Sequence, residues 1–173
     1  MARLFLKVFS TPVTVIPPAA LVAEPDVTKI GQQLTAKVRQ LFNGSLVIRQ
    51  VAAGSSNAEE EELKALSNAY YDIERFGISF TASPRHADML MVTGPVSHNM
   101  VNALRLTYEA IPGPKIVVAV GDGAIDGGIF KGSYAIAGGV SAVIPVHFSI
   151  PGDPPTPRQI LVSLLHILNT IAT

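Results

Sequence analysis

The chain has 173 residues, a length that suits about one domain with a core large enough to stand without covalent staples. Hydrophobic residues make up 48% and charged residues 15%, against about 25% charged in ordinary soluble domains, which excludes a disordered chain and leaves little charge for the surface. Thirteen Lys and Arg offset thirteen Asp and Glu, and there is no cysteine; nucleic-acid binding driven by net charge is disfavoured, and disulfides, zinc fingers, thiolate-held iron–sulfur clusters and cysteine nucleophiles are excluded.

The first segment, Met1 to Ala23, is apolar and proline-rich and reads as an extended arm. Lys7 interrupts its apolar run, Pro12, Pro17 and Pro18 break any helix, and no small-residue cleavage site follows, so a secretion signal is not expected. No run reaches the ~20 apolar residues of a membrane span. Pro25-Asp26 opens a helix to about Phe42, with Ile30, Leu34, Val38 and Leu41 on one stripe, and Asn43-Gly44 stops it. Ser45 to Val51 alternates and is rich in β-branched residues, predicting a strand. A helix is expected from Ser56 to about Asn68, then strands at Ile78–Thr81 and Met89–Val92. Ser97 begins a helix with Val101, Leu104, Tyr108 and Ile111 on one face, ended by Pro112-Gly113-Pro114. Lys115–Val120 is an unbroken apolar run and predicts a buried strand. A glycine-rich loop is expected from Gly121 to Gly139, a last strand at Val143–Ile150, and a final helix opened by Thr156-Pro157 with Ile160, Leu164, Leu168 and Ile171 on one side.

Strands separated by helices predict a parallel sheet with helices on both faces. Ligands of such folds bind at the carboxyl ends of the strands. Three loops fall there: Ala52–Ala58, Gly121–Gly128 and Pro151–Pro155.

Several motifs occur in order along the chain: Tyr70-Tyr71-Asp72-Ile73-Glu74-Arg75-Phe76-Gly77, Ser83-Pro84-Arg85-His86-Ala87-Asp88, Val92-Thr93-Gly94-Pro95-Val96, Gly121-Asp122, Asp126-Gly127-Gly128, Gly132-Ser133-Tyr134, Val143-Ile144-Pro145-Val146 and Ile150-Pro151-Gly152. On these the chain resembles the cluster-bearing small subunit of complex I and of the membrane-bound NiFe hydrogenases, the formate hydrogenlyase and hydrogenase-4 type above all. The match runs over roughly Ser45 to Leu168. The resemblance implies a flavodoxin-like α/β domain over 45–173, preceded by an arm and helix over 1–44. That family holds one 4Fe–4S cluster on four cysteines: two in a Gly-Ser-Cys-Asn-Gly-Cys-Glu loop, one after Gly-Asp, one in Pro-Gly-Cys-Pro-Pro. Ser56, Glu59, Gly123 and Asp153 stand at those positions here. The frame around each is kept and every ligand is gone, so no cluster, no cofactor and no electron transfer by this chain are expected.

Ser56-Asn57-Ala58-Glu59 also reads as a Ser-x-x-Glu capping box, with Glu60, Glu61 and Glu62 on the positive end of the helix dipole. Two other readings stay open: Glu59, Asp153 and Asp122 converging on a hard cation, or a basic partner residue filling the space. The loop after Gly121 lacks the dinucleotide fingerprint and the Walker lysine, and its two aspartates would repel a phosphate. His86, His98, His147 and His166 show no ligand spacing, His86 being read as structural, and no Gly-x-Ser-x-Gly elbow occurs, so neither catalytic nor metal residues are expected. The resemblance implies a structural, non-catalytic subunit docked on a large-subunit homologue. Its place would be cytoplasmic, reaching the inner face of the membrane only through the complex. A subunit contributing to a quinone site and a stand-alone flavodoxin-like module for an anion or small ligand are the alternatives.

Overall fold

The computed structural model describes residues 25–172; the arm expected over Met1–Ala23 lies outside them. The elements in chain order are α1 (Pro25–Phe42), β1 (Leu46–Ala52), α2 (Ala58–Ala65), β2 (Ile78–Phe80), β3 (Met89–Thr93), β4 (Val96–Ser97), α3 (Val101–Ala110), β5 (Ile116–Val120), α4 (Asp122–Asp126), β6 (Ile136–Gly138), β7 (Phe148–Ile150) and α5 (Pro157–Ile171). Five strands form a parallel sheet in the order β2-β1-β3-β5-β7. β4 and β6 pair separately as a short antiparallel ribbon.

The period-2 alternation of a strand explains the two-layered covering. On one face Leu46 and Ile48 of β1, Met89 and Met91 of β3, and Val118 and Val120 of β5 share a core with Leu34 and Val38 of α1, Leu63 of α2, and Ile160, Leu164 and Leu168 of α5. On the other face Val51, Leu90, Val92, Val117 and Ala119 pack against Leu104 and Ile111, with Val101 and Tyr108 beside them, and against Ala124, Val140 and Ile144. All five residues of β3 are buried because both faces are covered, and it therefore reads as a continuous apolar run. The stripes predicted for α1, α3 and α5 meet the sheet as expected, except that Ile171 ends exposed.

The helix ends follow local chemistry. The Gly44 N–H donates to the Val38 carbonyl at 3.2 Å, closing α1. Thr156 caps α5 in a full capping box: its hydroxyl accepts from the Gln159 N–H, and the Gln159 side chain accepts from the Thr156 N–H at 2.8 Å.

Three expectations need correction. The stretch expected as a loop from Gly121 to Gly139 holds α4, a 3-10 turn at Gly128–Phe130 and β6. The strand expected over Val143–Ile150 is reduced to β7. Its first half follows a 3-10 turn at Val140–Ala142, with the Ile144 N–H donating to the Val140 carbonyl. Ile144 is buried by packing without strand pairing, so its apolar pattern imitates a strand. Pro145 could not have joined a central ladder in any case. The helix expected from Ser97 starts with a 3-10 turn at His98–Met100 and becomes α-helical at Val101.

Candidate functional site

β1, β5 and β7 all run in one direction, so their carboxyl-end loops gather at one edge of the sheet. The segment after β3, Gly94-Pro95, joins them there. Backbone bonds lock the set together. The Ala53 N–H donates to the Thr93 carbonyl, and the Ser97 N–H to the Ala53 carbonyl. The Gly121 N–H donates to the Ile150 carbonyl, and Asp122 and Gly152 bond reciprocally: the Asp122 N–H to the Gly152 carbonyl at 2.8 Å, the Gly152 N–H to Asp122 Oδ1 at 2.9 Å. These contacts give structural reasons for Gly121-Asp122 and Pro151-Gly152. Asp126 does the same for the next turn, accepting from the Gly128 N–H and pairing with Lys131 at 2.9 Å.

A cavity of about 90 Å³ opens between these loops, lined by Ser55, Ser56, Glu59, Pro95, Gly123, Gly127, Gly128, Ile129, Phe130 and Asp153. All four positions singled out in the sequence, Ser56, Glu59, Gly123 and Asp153, stand on its wall.

The local structure at the first of these departs from the expectation. The capping box of Ser56 and Glu59 does not form. α2 begins at Ala58, its cap position is Asn57 with φ 76°, and no side chain caps it. A capping box needs an extended cap residue whose hydroxyl meets the N–H three residues on. Here Glu59 and Glu60 turn inward instead. Glu59 is 4% exposed and Glu60 8%. Glu60 Oε1 accepts from the Ser55 and Thr93 hydroxyls, tying α2 to the first loop and to the end of β3. Glu60, expected with Glu61 and Glu62 to place charge on the helix dipole, is a buried acceptor, at the position of the Glu that closes the family's Gly-Ser-Cys-Asn-Gly-Cys-Glu loop. Glu61 does serve the dipole, held by Asn57 at 3.0 Å and Lys64 at 2.9 Å, and these partners hold its carboxyl below the usual range.

Gly123 is held close against the segment after β3. A Cβ at Gly123 would stand 2.9 Å from Pro95 Cδ and 3.2 Å from Pro95 N. Substitution at this position would strain the loop before reaching any partner.

Among the described residues, no group of three or more His, Cys, Asp or Glu is arranged to hold a metal ion. Glu59 and Asp153 share the cavity wall, whereas Asp122 does not line it and accepts from the Gly152 N–H through Oδ1. All four histidines are exposed, and His147 Nδ1 accepts from the Val117 N–H at 2.9 Å.

Burial pushes the Glu59 carboxyl above its ordinary value. A hydrogen bond from its own backbone N–H opposes this, and the charges of Glu60, Asp153 and Asp122 add to the rise. A carboxyl raised on folding contributes its full stability below the unfolded pKa, here 4.5, and that contribution is lost as pH rises through the folded value. Urea denaturation from about pH 4 to pH 8 is therefore expected to show wild type falling progressively below Glu59→Gln as pH rises. Parallel pH curves for the two proteins would contradict this.

The family model described as the NADH ubiquinone oxidoreductase 20 Kd subunit matches residues 57–167, which include Glu59, Gly123 and Asp153 of the cavity. The chain belongs to that family. An uncharacterized protein of Methanocaldococcus jannaschii is 44% identical over 131 residues, 75% of this chain and 88% of that one. A probable membrane-bound hydrogenase subunit of Pyrococcus furiosus is 40% identical over 137 residues, covering 79% and 82%. Formate hydrogenlyase subunit 7 of Escherichia coli is 34% identical over 144 residues, 83% of this chain and 55% of that protein. Among solved structures, a chain of the archaeal membrane-bound sulfane sulfur reductase superposes with a TM-score of 0.66 at 31% identity, covering 82% of this chain and 75% of that chain. A chain of an NAD+-reducing NiFe-hydrogenase, at TM-score 0.56 and 18% identity, shares the fold over 73% of this chain and 92% of its own. The flavodoxin-like α/β reading and the family resemblance thus both hold.

The cluster implied by the family resemblance requires thiolates. At the four ligand positions the cavity offers one hydroxyl at Ser56, two carboxylates at Glu59 and Asp153, and no side chain at Gly123, in a sequence without cysteine. These residues do not fit the cluster.

Proposed function

We propose that this chain is a cluster-less docking subunit of a complex I-like or membrane-bound-hydrogenase-like assembly, seated on a large-subunit homologue and carrying no electrons of its own. The observation that carries this reading is the cavity itself: Ser56, Glu59, Gly123 and Asp153 line one pocket whose loop frame persists while its donors cannot bind the cluster. Retained shape around lost chemistry fits selection on association. Relatives named as subunits of hydrogenase, formate hydrogenlyase and NADH-quinone oxidoreductase complexes support the assembly type.

The rim of the cavity supports the docking face. Ile129 is 83% exposed, Phe130 48%, and Tyr134 of the same loop 96%. Large apolar side chains standing together in water mark association surfaces more often than free ones. Among the described residues no helix is long and apolar enough to cross a membrane; in this reading the chain meets the membrane through its partner. Affinity purification of the full chain from its native host tests the proposal. Co-elution with a large-subunit homologue in fixed stoichiometry is expected; elution alone, at native expression, would refute it.

A further inference from the structure

The strongest unexplained feature is the charge balance of the cavity. Glu59 is buried, and its Oε2 makes no hydrogen bond among the described residues. It faces a space of about 90 Å³ whose other polar lining residues are Ser55, Ser56 and Asp153. The ion pairs Lys64 with Glu61 and Lys131 with Asp126 lie on the exposed surface and involve neither Glu59 nor Asp153. A buried carboxylate without a partner is costly, and the ordinary remedy is a counter-charge.

We propose that this cavity receives the cationic head of a lysine or arginine side chain from the partner subunit. Two carboxylates and two hydroxyls supply acceptors for an ammonium or guanidinium group, whose donors need acceptors on several sides. Pro95, Ile129 and Phe130 give the cavity an apolar collar, which suits the aliphatic stem that such side chains lay against apolar surface. An inorganic divalent ion fits worse: it seeks six or more oxygen ligands, and no metal-binding group of three carboxylates or histidines is present among the described residues. The collar is continuous with the exposed Ile129–Tyr134 loop, so the cation enters from the face assigned to docking. The inference rests on that docking reading and specifies its central contact: a protein cation stands where the family's cluster would.

The test compares wild type with Glu59→Gln, which keeps the side chain's shape and removes its charge. Each full-length chain is titrated against the purified large-subunit homologue by calorimetry, and the melting temperature of each free chain is recorded. Glu59→Gln is expected to bind about tenfold or more weakly, since it leaves the partner's cation buried and unpaired, while the free variant melts at the same temperature as wild type or higher. A merely structural role for Glu59 would lower both together, which overturns the proposal. Equal affinity of the two chains overturns it as well, leaving docking intact. No binding by wild type refutes the docking reading and this inference with it. Magnesium chloride that raises the melting temperature of free wild type, but not of Glu59→Gln, would replace the protein cation with a metal ion and also overturn the proposal.

Discussion

Gly94→Ala is expected to cost about 2–4 kcal/mol of folding free energy, from left-handed backbone strain plus overpacking. Gly94 has φ 69°, and a Cβ there would fall 2.4 Å from the backbone of Ser55. This close approach lets the end of β3 lie against the first loop, and so places Pro95 and Ser55 on the same cavity wall. Gly132→Ala separates the two causes. Its φ of 81° imposes the same backbone strain, but no atom lies within 4 Å of the added Cβ. Urea denaturation is expected to show a loss of about 1 kcal/mol for Gly132→Ala and a clearly larger one for Gly94→Ala at unchanged m-value. Equal losses would contradict the close-approach account.

Ile129→Asp is expected to weaken binding to the large-subunit homologue by at least about tenfold, about 1.4 kcal/mol or more. Ile129 is almost fully exposed and lies on the cavity rim, so the substitution removes no core contact. The free variant should therefore unfold at the wild-type urea concentration. Burying the new carboxylate against the apolar partner surface would add a desolvation cost to the lost apolar contact. Leu106→Asp, at another exposed apolar position but on α3, is the comparison and should change the affinity far less. Wild-type affinity in Ile129→Asp would remove this loop from the interface.

The sequence made the frame of this fold legible where one local rule acted alone. The apolar runs of β3 and β5 report burial on both faces, and Thr156-Pro157 with Gln159 forms the expected helix start because nothing else competes for those side chains. At Ser56 the same kind of motif failed. There Glu60 is taken by the hydroxyls of Ser55 and Thr93, Glu59 faces the cavity, and Asn57 adopts a conformation no capping box permits. Thr93 is distant in sequence, so a motif read along the chain does not include it. Val143–Val146 misled for a related reason, because packing against the α3 face buries apolar residues whether or not a strand is present. The four family ligand positions were legible one by one. Their common cavity, the inward turn of Glu60 and the contact of Gly123 with Pro95 depend on three loops meeting in space.

Iron and acid-labile sulfide analysis of the anaerobically purified full chain tests the central claim most directly. A hydroxyl, two carboxylates and a bare glycine stand where the family's thiolates would be, and no cysteine elsewhere can replace them. The account predicts neither iron nor sulfide above background and no absorption band near ~400 nm of the kind thiolate-bound clusters give. Stoichiometric iron and sulfide in the purified chain, accompanied by that band, would contradict it.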